Sequence, residues 1–128
     1  MIFNLDHVNL RTPDLQRAVE WYGRVLNMHP GARPDFRFSG AWLYAGDHPI
    51  IHLVEDNEIG ADKGQALTLE HFALASKGYN EFMIKLKSND ISFYEARISS
   101  GAMQIAQVNI HDPDGNHIHV DFPLEEVA

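Results

Sequence analysis

The stretch Gln107–Phe122 reads QVNIHDPDGNHIHVDF and decides how the rest of the chain is interpreted. At its centre, Asp112-Pro113-Asp114-Gly115 has the composition of a tight turn, because proline fixes φ early in the turn and glycine tolerates a positive φ at its end. After the turn, apolar and polar residues alternate, which is typical of a strand with one buried face. The stretch therefore predicts a β-hairpin.

The strand after the turn has two chemically different faces. One face is mostly apolar and is expected to pack on a core; it comprises Asn116, Ile118, Val120 and Phe122. The other face carries groups that can bind metals, namely His117, His119 and Asp121. Taken alone, this stretch is explained better by a solvated polar face than by a site, so its meaning depends on the rest of the chain.

Composition limits the classes of function. The chain has 128 residues, 45% of them hydrophobic, which is enough for one ordinary domain with its own core. A net charge of −8 disfavours nucleic acid and anionic membranes as partners. The sequence has no long apolar segment and no visible signal peptide, so we expect a cytoplasmic protein. It also has no cysteine, which excludes disulfides and thiolate chemistry.

The predicted elements follow the order strand, helix and three strands, and this order occurs twice. In the first half we expect strands at 3–10, 35–39, 41–45 and 50–55, with a helix that is capped by Thr12 and ends near Asn27. In the second half we expect strands at 67–75, 91–94, 103–110 and 116–122, with a helix capped by Ser76. The residues after Pro123 are expected to be frayed.

The two halves also share a short motif. LDHVNL at 5–10 matches LEHFAL at 69–74 in the pattern Leu, acidic, His, apolar, small or polar, Leu. A half of this size buries too little apolar surface to be stable alone, so we expect a pseudo-symmetric pair within one domain. The predicted modules cover residues 1–55 and 67–122, with a polar connector at 56–66.

Four histidines occupy equivalent places in this repeat. His7 and His71 lie in the first strand of each half, and His52 and His119 lie in the last. If the first and last strands are neighbours and the two halves face each other, four imidazoles come together. Neutral imidazole is a common ligand for divalent metals, so this pattern predicts a metal site. The remaining histidines lack this relation and are interpreted as surface or pocket-rim residues: His29, His48, His111 and His117.

The opening DHVNLRTPDLQRAVEWYGRVLNM and the ending DPDGNHIHVDF resemble the vicinal oxygen chelate superfamily. That group includes glyoxalase I, extradiol dioxygenases and the bleomycin-resistance binding proteins. The resemblance implies an α+β fold in which two βαβββ modules form an open, cup-shaped eight-stranded mixed sheet with helices outside. It also implies a homodimer, and a divalent ion (zinc, nickel, iron, manganese or cobalt) bound at the positions of His7, His52, His71 and His119.

The sequence departs from the family pattern at His119, where the family ending usually has glutamate. Four imidazoles leave the ion with its full +2 charge, which favours an anionic or chelating small-molecule substrate. The change also removes a carboxylate that glyoxalase-type isomerisation uses to move a proton. Asp121 lies on the same strand face and is the candidate catalytic residue. Strand alternation predicts that Glu55 and Glu70 face away from the neighbouring histidines.

The predicted function is a metal-dependent enzyme of the glyoxalase/dioxygenase type that acts on a small molecule with vicinal oxygens. Lyase, isomerase and dioxygenase chemistry all fit this scaffold. The alternatives are a binding protein without turnover and a structural zinc site, since four protein ligands leave no open position. A substrate pocket is predicted to be lined by aromatic and basic side chains, namely Trp42, Tyr44, Phe36, Phe38, Arg33 and Arg37.

Overall fold

The computed structural model describes residue 1 and residues 4–58 and 69–127. The chain divides into an N-terminal half, Met1–Gln65, and a C-terminal half, Ala66–Ala128. The elements of the N-terminal half are β1 (Val8–Thr12), α1 (Leu15–Leu26), β2 (His29–Pro30), β3 (Gly40–Ala45) and β4 (His48–Glu55). Those of the C-terminal half are β5 (Phe72–Ala75), α2 (Tyr79–Ser88), β6 (Tyr94–Ser100), β7 (Met103–His111) and β8 (His117–Pro123). The predicted order of strand, helix and three strands is confirmed in both halves.

Each half contains one four-stranded mixed sheet. The strand order is β1-β4-β3-β2 in the N-terminal half and β5-β8-β7-β6 in the C-terminal half. In both sheets the first strand runs parallel to the last, while the other pairs are antiparallel. The α+β class and the adjacency of first and last strands are therefore confirmed.

The N-cap of helix α1 lies two residues after the predicted one. Asp14 is the N-cap, and its Oδ1 accepts a hydrogen bond from the backbone N of Arg17 at 3.0 Å. Thr12 instead accepts from the backbone N of Asp14, so the prediction that Thr12 caps the helix is wrong. The helix ends at Asn27, which has a left-handed φ of 54° and confirms the predicted end.

The apolar face of α1 packs on β3 and β4. Its buried residues are Ala18, Trp21, Tyr22 and Val25. The predicted stripe contained Ala18 and Tyr22 but placed Leu15, Val19 and Leu26 beside them, and these three are only partly buried. The helix is therefore rotated slightly relative to the prediction, because the indole of Trp21 provides the larger apolar surface to bury.

The core of each half separates the helix from the histidines. In β4, Ile51 and Leu53 are at most 2% exposed, and His52 between them points to the opposite face. In β8, Ile118, Val120 and Phe122 are buried as predicted. The ring of Phe122 contacts Tyr79 and Phe82 of α2, which places this helix on the face opposite His119.

The hairpin that joins β7 to β8 has the predicted turn. The carboxylate of Asp112 is buried and accepts hydrogen bonds from the backbone N of Asp114 at 3.0 Å and of Asn116 at 2.8 Å. Gly115 has a φ of 86°, a left-handed conformation that glycine adopts without strain. The side chain of Asp112 therefore fixes the turn that starts the histidine-bearing strand.

Two of the predicted strands do not lie where the sequence placed them. Residues 35–39 form no strand, because this segment is held by Arg33, whose Nη2 donates to the carbonyl of Phe38 and whose guanidinium lies over the rings of Phe36 and Phe38. The strand predicted at 91–94 begins only at Tyr94. The predicted connector and the strand predicted at 67–75 fall partly on residues 59–68, which lie outside the described residues, as does Phe3.

The start of α2 is capped from a distant part of the chain. Its N-cap is Gly78, with a left-handed φ of 89°, so the prediction that Ser76 caps this helix is wrong. The carboxylate of Glu126 accepts hydrogen bonds from the backbone N of Gly78 at 2.8 Å and of Tyr79 at 3.0 Å. The chain end that was predicted to fray forms a short 3₁₀ helix, Leu124–Glu126, that holds this cap in place.

Replacing Glu126 with alanine is expected to lower the free energy of unfolding by about 1–2 kcal/mol, because two helix N–H groups lose their acceptor and the helix dipole loses a negative charge. Urea denaturation followed by circular dichroism measures this. Glu125→Ala is the matched control, because it removes an exposed carboxylate from the residue directly before Glu126. An equal loss in both variants would contradict the capping role.

No helix in the described parts of the chain has the length and apolar character needed to cross a bilayer.

Candidate metal site

The first predicted histidine pair lies at the start of β1 and in the middle of β4. His7 directly precedes β1, and His52 pairs with Asn9 in the parallel ladder. The two rings are stacked, with centroids 3.8 Å apart and an angle of 10° between their planes. Two imidazoles from opposite ends of the N-terminal half are thereby brought into contact.

The second pair repeats this arrangement in the C-terminal half. His71 directly precedes β5, and His119 pairs with Ala73, again two residues after the first histidine. The rings are stacked with centroids 4.0 Å apart and an angle of 12°. The two halves therefore share the same register, and each pair is brought together within its own half. Their role as metal ligands stays a prediction.

Burial and the charge of a neighbouring imidazole favour the neutral form of His52 and of His119. The pKa of His52 is lowered by burial and by the charge of His7, although a hydrogen bond with the carbonyl of Pro49 opposes the shift. The pKa of His119 is lowered by burial and by the charge of His71. Since only neutral imidazole binds a metal, both shifts favour ligand formation near neutral pH.

An acidic residue precedes the first histidine of each pair and binds its ring. Asp6 Oδ2 accepts a hydrogen bond from His7 Nδ1 at 2.7 Å. Glu70 makes the same contact with His71 Nδ1. In both cases the pKa of the carboxyl group is lowered, chiefly by this hydrogen bond. The prediction that Glu70 faces away from His71 is wrong, because both residues precede β5 and strand alternation does not apply to them.

The other carboxylate considered in the sequence, Glu55, lies where it was expected. Its Oε2 accepts a hydrogen bond from the backbone N of Leu15 at 3.0 Å, at the start of α1. It therefore helps to cap the helix rather than joining the histidines.

His117 belongs to the cluster, although the sequence placed it on the surface or the pocket rim. Ligand atoms of His71, His117 and His119 all lie within 4.8 Å of one another. The side chain of His117 is only 13% exposed. The one sequence signal for this was its shared strand face with His119, but no equivalent histidine occurs in the N-terminal half to support it.

Both ring nitrogens of His117 already contact acceptors. The Nδ2 of buried Asn109 donates to the carbonyl of Tyr94, which turns its Oδ1 towards His117 Nε2 at 2.8 Å. Glu70 Oε1 lies 3.1 Å from His117 Nδ1. A neutral imidazole has one N–H and one lone pair, so His117 could bind a metal only by giving up one of these two contacts. His71 and His119 remain the better ligands of this half.

The predicted catalytic residue, Asp121, has an unusual carboxylate. Its Oδ1 is buried and has no hydrogen-bond partner among the described residues. Burial raises the pKa of Asp121, while the charges of His119 and His71 act in the opposite direction. A buried oxygen without a partner among the described residues, on the same strand face as His119, suits a divalent cation or a proton donor, so the residues present fit a metal site.

The predicted pocket residues differ in the contacts that their side chains make. Trp42 is stacked on His52, with ring centroids 4.0 Å apart, and extends the histidine stack into an aromatic wall. The Tyr44 hydroxyl donates to the carbonyl of Ala32. Arg37 is exposed in the segment between β2 and β3. Trp42 is thus in direct contact with the histidine pair. The role of all three in substrate binding stays a prediction.

The remaining histidines are exposed. His29 contacts Asn27, and His48 Nε2 donates to the backbone carbonyl of Asp6 at 2.8 Å. The ring of His111 stacks on His117 with centroids 5.1 Å apart.

Comparison with known proteins identifies the class that this fold and these histidine pairs define. Residues 4–120 match the model of the Glyoxalase/Bleomycin resistance protein/Dioxygenase superfamily, and the chain belongs to that family. The protein named Glyoxylase I 4 from Arabidopsis thaliana is 28% identical over 122 residues, which cover 91% of this chain and 69% of that protein. The lactoylglutathione lyase of Escherichia coli O157:H7 is 28% identical over 127 residues, which cover 89% of this chain and 88% of that protein.

A solved structure supports the fold. The glyoxylase/bleomycin resistance protein/dioxygenase domain from Frankia sp. EAN1pec superposes with a TM-score of 0.78 at 17% identity, covering 96% of this chain and 93% of that one. The vicinal oxygen chelate fold predicted from the opening and ending of the sequence is therefore confirmed.

Proposed function

We propose that this protein is a metal-dependent enzyme of the glyoxalase type, which acts on a small anionic molecule with two neighbouring oxygens. The observation that carries the proposal is the repeated histidine pair: His7 with His52 and His71 with His119, each stacked in the same strand register. Relatives named for glyoxalase I and lactoylglutathione lyase support the class of reaction.

In this proposal the four histidines are metal ligands. Imidazole is a good ligand for zinc, nickel, iron and cobalt, and the lowered pKa values of His52 and His119 favour their neutral, binding form. A bound ion would supply Lewis-acid chemistry, polarising a substrate oxygen. A ligand set without a carboxylate leaves that ion its full charge, which is why we propose an anionic, chelating substrate.

Proton transfer is assigned to Asp121. Its Oδ1 is buried and has no hydrogen-bond partner among the described residues, and the charges of His119 and His71 oppose the rise in its pKa that burial causes. A carboxylate that has no hydrogen bond to break can accept a proton from a bound substrate without first losing another contact. Trp42, stacked on His52, is proposed to provide the apolar wall against which the substrate lies.

Because His119 stands where the family usually has glutamate, we expect this protein to have low glyoxalase activity. His119→Glu adds a negative charge at the metal and is expected to weaken oxalate binding by about tenfold, or about 1.4 kcal/mol, through repulsion of the diacid. The same variant is expected to gain activity towards a hemithioacetal. Both proteins, loaded with the same metal, are compared by oxalate titration and by a hemithioacetal isomerisation assay.

The outcomes of this comparison discriminate between the candidate functions. Efficient hemithioacetal turnover by the wild type would overturn the distinction based on His119. Equal oxalate affinity of the two proteins would overturn the charge argument. Oxalate binding by the wild type without turnover of any 2-hydroxy or 2-oxo compound would favour a binding protein. Formation of a homodimer remains a prediction that light scattering of the metal-loaded protein tests.

A further inference from the structure

Each predicted first-strand ligand has a carboxylate on its Nδ1 nitrogen. Asp6 accepts from His7 Nδ1, and Glu70 accepts from His71 Nδ1. A carboxylate on Nδ1 fixes the proton there and leaves the lone pair on Nε2. The contact occurs independently in both halves of the chain, at equivalent positions of the repeat.

In the C-terminal half this carboxylate is anchored to the interior. Glu70 is itself 72% exposed, but its Oε1 also accepts from His117 Nδ1 at 3.1 Å. His117 Nε2 lies 2.8 Å from Oδ1 of Asn109, which is 2% exposed and whose Nδ2 donates to the carbonyl of Tyr94. A chain of polar contacts therefore runs from buried Asn109 on β7, through His117 and Glu70, to Nδ1 of His71.

We infer that Glu70, held by His117 and Asn109, is a positioning residue that sets the tautomer of His71 and presents its Nε2 for metal binding. The inference rests on the proposed function, because it assigns His71 as a ligand. His117 then acts through Glu70 rather than as a ligand, in agreement with the occupation of both its nitrogens.

The N-terminal half provides an internal comparison. Asp6 is 74% exposed, and its second histidine contact, to His48 Nε2, is 3.6 Å long from Oδ1. Asp6 is therefore held less firmly than Glu70, which has a second hydrogen bond of normal length. We expect the loss of Glu70 to weaken metal binding more than the loss of Asp6.

The test uses Glu70→Ala, Glu70→Gln, Asp6→Ala and His117→Phe in the full chain. Long-range ¹H–¹⁵N spectra of the metal-free protein at about pH 8.5, where imidazole is neutral, report the tautomer of His71. Competition titration reports the affinity for Zn²⁺. Glu20→Ala is the control, because it removes an exposed carboxylate whose partner is Arg24 on the same helix.

The wild type is expected to hold His71 with the proton on Nδ1. Glu70→Ala is expected to give a mixture of tautomers and to bind Zn²⁺ about tenfold more weakly, the lower end of the range for outer-shell partners, because the contact is exposed. Glu70→Gln keeps an acceptor oxygen and should recover most of the affinity. His117→Phe should give a partial loss, Asp6→Ala a smaller loss than Glu70→Ala, and Glu20→Ala none.

Wild-type His71 with its proton on Nε2, or unchanged Zn²⁺ affinity in Glu70→Ala, would overturn the inference. Equal losses in Glu70→Ala and Glu70→Gln would also overturn it, because the effect would then come from charge rather than from positioning. A wild type that selects the Nδ1–H tautomer but binds no Zn²⁺ would overturn the proposed function while supporting the positioning of His71.

Discussion

Replacing His71 with alanine is expected to lower the affinity for Zn²⁺ by roughly 100- to 1,000-fold. Zinc held by four protein ligands is bound with about 10–16 kcal/mol in small zinc domains, so one ligand contributes about 2.5–4 kcal/mol. His71 is half-exposed at the start of β5 and stacks on His119, so its removal opens no cavity in the core. The measurement is a competition titration with a chromogenic zinc chelator.

His29→Ala is the matched control. His29 is exposed, contacts Asn27 rather than another imidazole, and belongs to neither pair. Its removal should change Zn²⁺ affinity less than twofold. Equal losses in His29→Ala and His71→Ala would indicate non-specific binding by a histidine-rich surface and would contradict the site.

The sequence was sufficient for features that depend on local pattern and on the repeat. Alternation in β8 predicted which of its residues are buried, and the turn chemistry around Asp112 predicted the hairpin. The matched positions of LDHVNL and LEHFAL predicted which strands would be neighbours. These features need only short-range physics and one comparison within the chain.

The features that the sequence did not reveal depend on contacts between distant residues. The cap of α2 comes from Glu126, 47 residues beyond Tyr79, and no local pattern predicts such a partner. Glu70 reaches His71 because β5 begins only at Phe72, so the alternation of side chains in a strand does not apply to these two residues. His117 contacts Asn109, which the hairpin register pairs with His119 two residues further along β8.

The same long-range contacts explain why the two halves are similar but not equivalent. In the ladder, the partner of His52 on β3 is Trp42, whereas the partner of His119 on β7 is Asn109. The N-terminal pair is therefore backed by an aromatic ring, and the C-terminal pair by a hydrogen-bonding amide that holds His117 and Glu70. We expect apolar contact with a substrate at the N-terminal pair and proton transfer at the C-terminal pair.

Asp121 lies on β8, the strand that carries His119. Its replacement by asparagine is expected to lower kcat by about 100-fold or more, the usual range for loss of a general base. A suitable probe is the exchange of the α-proton of hydroxyacetone for deuterium, which requires a bound vicinal-oxygen compound and a base. NMR of the metal-loaded protein in D₂O follows this exchange. Metal affinity should change little, because the four proposed ligands are retained.

The stability of Asp121→Asn distinguishes a catalytic role from a structural one. Because Asp121 Oδ1 is buried and has no partner in the described part of the chain, this oxygen loses solvation without gaining a hydrogen bond there. The asparagine variant is therefore expected to unfold at the same or a higher urea concentration, whereas loss of a structural contact would lower it. Asp47→Asn, in the exposed turn between β3 and β4, is the control for charge. Full exchange activity in Asp121→Asn would show that another group accepts the proton.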